Sequence, residues 1–151
     1  MANLFRLVAC LFLLISIQSH SVEAGFPLIE EKVNASDSAD NDQFGFSVSI
    51  DGDTAVISAI GDDGYIGAAY VYVRINGVWI EQQKLTAGDA YSHDEFGTSV
   101  AISGNYAIVG AYNFNGTAGN ETGKVYWYQR QNDGKWKEVH TIEGENTNDQ
   151  F

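Results

Sequence analysis

FGFSVSIDGDTAVISA (44–59) and FGTSVAISGNYAIVGA (96–111) are one phrase written twice. Phe44 matches Phe96, Gly45 matches Gly97, Ser47 matches Ser99, Val48 matches Val100 and Ile50 matches Ile102. Ala55-Val56-Ile57-Ser58-Ala59 then matches Ala107-Ile108-Val109-Gly110-Ala111. Beyond a loop that is longer in the second copy, Gly67 matches Gly123, Tyr70 matches Tyr126, and Tyr72 matches Tyr128. Arg74, Trp79 and Glu81 have counterparts in Arg130, Trp136 and Glu138. Self-similarity at a fixed period of about 50 residues is the mark of stacked supersecondary units. The tetrapeptide NDQF precedes the first copy at 41–44 and recurs at 148–151.

Each unit reads as four antiparallel strands. FSVSI (46–50) alternates apolar and polar residues, the period of a half-buried strand, and TAVISAI (54–60) is nearly all apolar, as a strand covered on both faces requires. Asp51-Gly52-Asp53 and Ser103-Gly104-Asn105 are tight turns between these strands. AAYVYVRI (68–75) and VWIEQQKL (78–85) form the next pair, joined by the hairpin signal Asn76-Gly77. No helical pattern follows residue 24. Four strands in about 50 residues is the blade of a β-propeller, so the fold class is all-β.

These residues carry a resemblance. The FG-x-S-V-x-I opening, the Ala-Val-Ile-Ser-Ala or Ala-Ile-Val-Gly-Ala strand, and the G-x-x-Y-x-Y and Trp that follow resemble the FG-GAP repeat of integrin α-subunit propellers. They are more similar still to its shorter secreted variant. The motif residues are Phe44, Gly45, Phe96, Gly97, Gly110, Ala111, Trp79 and Trp136. Integrin-type repeats carry an acidic calcium hairpin between their first two strands. Here that turn is three residues, too few oxygens for the six or more that calcium takes, so no metal or other cofactor is implied. The organisation expected is a signal peptide over 1–24, an N-terminal linker over 25–40, blades over 41–93 and 94–148, and the start of a third repeat at 149–151. A propeller ring takes about four to eight blades. The chain therefore reads as an incomplete propeller, a piece of a longer repeat protein, with self-association through unpaired blade edges as the alternative.

Composition sets the compartment. Arg6, the apolar run Leu7–Ile17 and Val22-Glu23-Ala24 have the form of a secretory leader cut before Gly25, and the apolar run is too short to span a bilayer. The single cysteine, Cys10, lies in that leader, so the exported chain relies on packing and not on disulfides. Sequons at Asn34, Asn115 and Asn120 fit a secreted glycoprotein. The net charge of −12 argues against nucleic acid and against stable association with anionic membranes, both of which require clustered Lys and Arg.

No catalytic constellation stands out. His93 and His140 fall at different points of the period, no G-x-S-x-G elbow is present, and carboxylates are too numerous for any pair to be singled out. Tyr70, Tyr72, Tyr126, Trp127 and Tyr128 alternate along strands as core residues do. The two copies differ most in their loops, 61–67 against 113–123 and the connection 86–95, and recognition usually resides in variable loops on a rigid scaffold. The candidate ligand residues are accordingly Asp62, Asp63, Tyr91 and His93, on a non-enzymatic extracellular binding or adhesion module whose partner is a protein or glycan. The rival readings are the propeller portion of a secreted hydrolase or lyase, and a structural matrix protein.

Overall fold

The strands follow the two copies. A computed structural model describes residues 31–115 and 122–145. The chain divides into Met1–Glu31 and Lys32–Phe151, and every element below belongs to the second unit. The first sheet holds β1 (Phe44–Asp51), β2 (Thr54–Ala59), β3 (Ala68–Ile75) and β4 (Val78–Leu85). The second holds β5 (Phe96–Ser103), β6 (Tyr106–Ala111), β7 (Lys124–Arg130) and β8 (Trp136–Glu143). Both are antiparallel meanders, ordered β1-β2-β3-β4 and β5-β6-β7-β8, consistent with two propeller blades that do not close into a ring. One departure from an all-strand reading is α1 (Asp62–Tyr65), a single turn whose Asp63 and Gly64 have positive φ.

The FG pair starts each blade for a physical reason. A register shift follows both phenylalanines, between Phe44 and Val48 and between Phe96 and Ser99. The glycines at these bulges have φ of 92° and 103°, a region that side chains disfavour. The bend turns Phe96 into the seam, where it is fully buried and meets Tyr126 and Tyr128 edge-on at 5.2 and 6.3 Å. Gly97 is needed twice over, since a Cβ there would sit 2.8 Å from the Ser58 Cβ of the other blade.

The acidic residue two places before the glycine's phenylalanine closes the turn leading in. Asp42 Oδ2 accepts the Ala39 amide at 2.5 Å, and Asp94 Oδ2 accepts the Tyr91 amide at 2.7 Å. The flanking residues take matching left-handed conformations: Asn41 and His93 at φ 74° and 75°, Gln43 and Glu95 both at 56°. The recurrent Asp-x-Phe is thus a turn lock followed by a wedge.

The core lies between the blades. Val56, Ala69, Val71 and Leu85 of the first blade pack with Phe96, Ala107, Val109, Ala111, Phe114, Tyr126, Tyr128 and Trp136 of the second, and Val100 and Ile102 lean against them. The small residues on β6 leave room for the Phe96 and tyrosine rings.

A ladder of polar bonds runs alongside. Ser47 Oγ accepts the Val100 amide, Ser49 Oγ the Ile102 amide and Asp51 Oδ2 the Gly104 amide, each joining residues 53 apart in sequence. Gln83 brackets the backbone of Trp136, donating to its carbonyl and accepting from its amide at 2.8 Å each.

Trp79 and Trp136 serve as anchors under Arg74 and Arg130, whose guanidinium carbons lie 5.2 and 4.8 Å from the ring centroids. Tyr70, Tyr72, Tyr126 and Tyr128 are buried, whereas Trp127 is exposed, so the tyrosines are core and the tryptophan is not.

The described part of the segment expected as a linker behaves otherwise. Residues 33–42 occupy on the first blade the place that 85–94 occupy on the second. Tyr72 donates to the Asn34 carbonyl as Tyr128 donates to that of Thr86, and Tyr70 donates to Asp37 as Tyr126 does to Asp89. Ser36 ties down further, its amide and hydroxyl both reaching the Glu81 carboxylate at 2.8 Å. A free spacer would leave these groups in water. Residues 33–40 are instead part of the repeat, placed by the need to satisfy two buried phenols. Among the described residues no helix is long and apolar enough to cross a membrane.

Candidate functional site

The structure brings two of the variable loops together. In 61–67, Tyr65 at φ 66° turns its carbonyl towards the next connection, where it accepts the amides of His93 (2.9 Å) and Glu95 (3.1 Å). Gly67 lies against the start of β5, where a Cβ would stand 2.0 Å from the Phe96 carbonyl oxygen. Phe96 in turn donates its amide to the Ile66 carbonyl. The loops are therefore clamped, with side chains left over to face outwards.

Those side chains form an aromatic patch. The Tyr65 and His93 rings stack at 5.6 Å and 10°. Ser92 Oγ donates to the Gly64 carbonyl at 2.6 Å and lies 2.8 Å from His93 Nδ1. With its one proton on the carbonyl, the hydroxyl accepts from Nδ1–H and so holds the imidazole over Tyr65. A serine so committed orients a ring and is not primed as a nucleophile. Beside the stack, Tyr91 is 74% exposed, an unusual cost for an aromatic side chain with no covering contact.

An acidic cleft of about 470 Å³ adjoins the patch, lined by Asp37, Asp40, Asp42, Asp62, Asp63 and Lys84 together with Tyr65. Lys84 Nζ sits 2.8 Å from Asp37 Oδ2 and 2.7 Å from Asp62 Oδ2. The Lys84 bond is the main reason the Asp37 carboxyl is held below its ordinary range. Burial disfavours the Lys84 ammonium, but bonds to Asp37 and Asp62 outweigh it and raise its pKa. Burial, reinforced by Asp37 and Asp62, pushes the Tyr70 phenol far up, so it stays a donor. Among the described residues no three His, Cys, Asp or Glu side chains gather as a metal-binding group.

The second blade repeats the arrangement with different parts. Lys124 Nζ pairs with Asp89, reaching it from β7, whereas Lys84 reaches Asp37 from β4. The same ammonium lies 4.4 Å from the Phe114 ring centroid and 5.3 Å from that of Tyr126. Burial opposes ionisation of Asp89, but Lys124 and Tyr126 hold its pKa below normal. Phe114 takes the position of Asp62, so the second blade has no matching cleft.

The four residues singled out in sequence separate into two kinds. Asp63, Tyr91 and His93 are exposed, with Tyr91 and His93 beside the first blade's loop. Asp62 is only 4% exposed and bonded to Tyr70 and Lys84, so its task is structural. Sequence reasoning missed Tyr65 and Lys84, because what marks them is a contact across the repeat. Of the sequons, Asn34 and Asn115 are exposed, although the Asn115 amide bonds to the buried Asp94 carboxylate, and Asn120 lies outside the described residues.

The FG-GAP repeat family profile matches residues 29–72 and 79–128, and both matches begin ahead of the Phe-Gly pair. No curated protein matches the chain.

Proposed function

Because the chain belongs to the FG-GAP repeat family, we propose that it is a secreted, non-enzymatic binding or adhesion module that engages an extracellular protein or glycan. The observation that carries this reading is the clamped pair of loops, which presents the Tyr65–His93 stack and exposed Tyr91 beside an acidic cleft. Rigid aromatic side chains give contact area at low entropic cost, and the carboxylate rim favours a partner carrying positive charge or many hydroxyl donors. The buried polar groups nearby are engaged in structural bonds, which supports recognition over catalysis. The leader-like residues 1–24 and the sequons support secretion and glycosylation.

Two measurements test it. Sequencing the N-terminus of exported material should find Gly25; retention of Met1 contradicts secretion by this leader. Labelled protein should bind a glycan array or intact cells saturably. Tyr91→Ala with His93→Ala should cost about 1–3 kcal/mol of affinity, as truncated aromatic contacts do. Unchanged binding by that folded variant moves the site elsewhere.

A further inference from the structure

We propose that this chain associates head-to-tail with copies of itself, the outer face of the second blade receiving the opening face of the first blade of the next copy. The premise is an interface already present within the chain. Val56, Val71 and Leu85 of the first blade form a socket for Phe96, Val100, Ile102 and the tyrosines of the second. Each half of that interface exists once more, uncovered.

The socket recurs on the second blade. Ladder pairing makes Ile108 and Trp127 the counterparts of Val56 and Val71, and Ile142 that of Leu85. The first-blade residues are buried, whereas Ile108 and Trp127 are each 38% exposed and Ile142 is 44% exposed. An apolar groove of about 210 Å³ runs between Ala101, Ser103, Tyr106, Ile108 and Trp127. It lies where the same positions of the first blade receive β5.

The insert recurs on the first blade. Val48 and Ile50 correspond to Val100 and Ile102, which lean on the core, yet they are 53% and 60% exposed. Gly97 is crowded by Ser58 and Ala68 of the neighbouring blade, whereas a Cβ on Gly45 would meet nothing within 4 Å. A close-approach glycine has therefore been placed where no neighbour approaches among the described residues.

The polar ladder can be extended as well. Ser99 and Ser103 stand where Ser47 and Asp51 stand, aligned to accept the Val48 and Gly52 amides of an incoming copy. Residues 33–42 leave this face open, because 85–94 occupy the equivalent place beside an interface that does form. A contact between two different faces is heterologous, so it propagates and closes only as a ring. Two-blade chains repeating in this way reach the blade number of a propeller with three or four copies.

Sedimentation of the full chain across a concentration series tests the proposal. Wild type should shift from monomer to larger species as concentration rises. Trp127→Glu, on the socket, and Val48→Asp, on the insert, should each abolish that shift and stay folded, judged by an unchanged thermal transition. Each variant lacks one face only, so a mixture of the two should form a species of two chains that neither forms alone. Assembly by either single variant overturns the proposal, since it would mean a self-complementary patch. So does a monomeric mixture, and so does a wild type that remains monomeric to its solubility limit. In that last case quenching of Trp127 tells the occupants apart: a shielded indole places the chain's own C-terminal residues on the socket, and an accessible one leaves it to an unlike partner.

Discussion

Replacing Phe96 and Phe44 by alanine, one at a time, separates the contribution of a blade from that of a seam. Both rings open a repeat and both pack edge-on against two tyrosines of their own blade, Phe44 at 5.7 and 6.2 Å, Phe96 at 5.2 and 6.3 Å. Only Phe96 also has a preceding blade upon it, and its exposure is 0%. Removing a fully buried phenylalanine costs about 3–5 kcal/mol, lost transfer energy plus the cavity left behind. Phe44 is half-buried and its site opens to water, which can fill the space, so its loss should cost about 2 kcal/mol. Lys135→Ala, on the exposed β7–β8 turn, should change stability by no more than about 0.5 kcal/mol. Urea unfolding followed by tryptophan fluorescence at low concentration gives all three values, provided the slope stays constant. Equal losses for the two phenylalanines would refute the reasoning, because the seam would then add nothing to what each blade supplies alone.

Gly67→Ala should destabilise by more than about 2 kcal/mol, since it combines a φ of +88° with a Cβ 2.0 Å from the Phe96 carbonyl oxygen. Gly88→Ala, with open space around it and no positive φ, should be near neutral in the same unfolding assay. Acid titration of stability should show carboxylates acting in opposite senses. Asp37 and Asp89 have lowered pKa values, so their stabilisation is complete above the unfolded value of about 3.9 and lost as pH falls through the depressed folded values. Asp94 is raised by burial, so Asp94→Asn should gain stability relative to wild type at neutral pH and lose that advantage on acidification, whereas Asp89→Asn should flatten the loss at low pH. Calcium should leave the melting temperature where a chelator leaves it; a gain near the roughly 2.7 kcal/mol given by ligand at 100 times its Kd would mean the short turns do hold the ion.

The blades were legible because their information is local. Strand alternation, Asn76-Gly77 and the repeated Phe-Gly all act within a few residues of where they stand, and the eight strands fall where that pattern puts them. Residues 33–40 were not legible, because only Ala35 and Asp37 repeat in Ala87 and Asp89, and the reason for Asp37 is a phenol at Tyr70. Asp62 was misjudged for the same cause: a carboxylate beside two glycines looks like a solvated turn, and only the arrival of Tyr70 and Lys84 makes it an interior group. Tyr106 and Ile108 reversed the expectation of a doubly covered β6, since the chain's pattern records that a face is apolar and not what lies on it.

The inter-blade ladder is one-sided: serine, aspartate and glutamine side chains of the first blade meet the peptide backbone of the second. A backbone amide is present whatever residue carries it, so the receiving blade needs no matching substitution when its own sequence changes. Only Trp136, gripped through both its amide and its carbonyl, must also offer an acceptor in the right place, and every residue does. A newly duplicated blade therefore arrives already compatible with its neighbour, and its outward residues can diverge without first renegotiating the joint. The differences between the loops at 61–67 and 113–123 are the kind of divergence that such a joint permits.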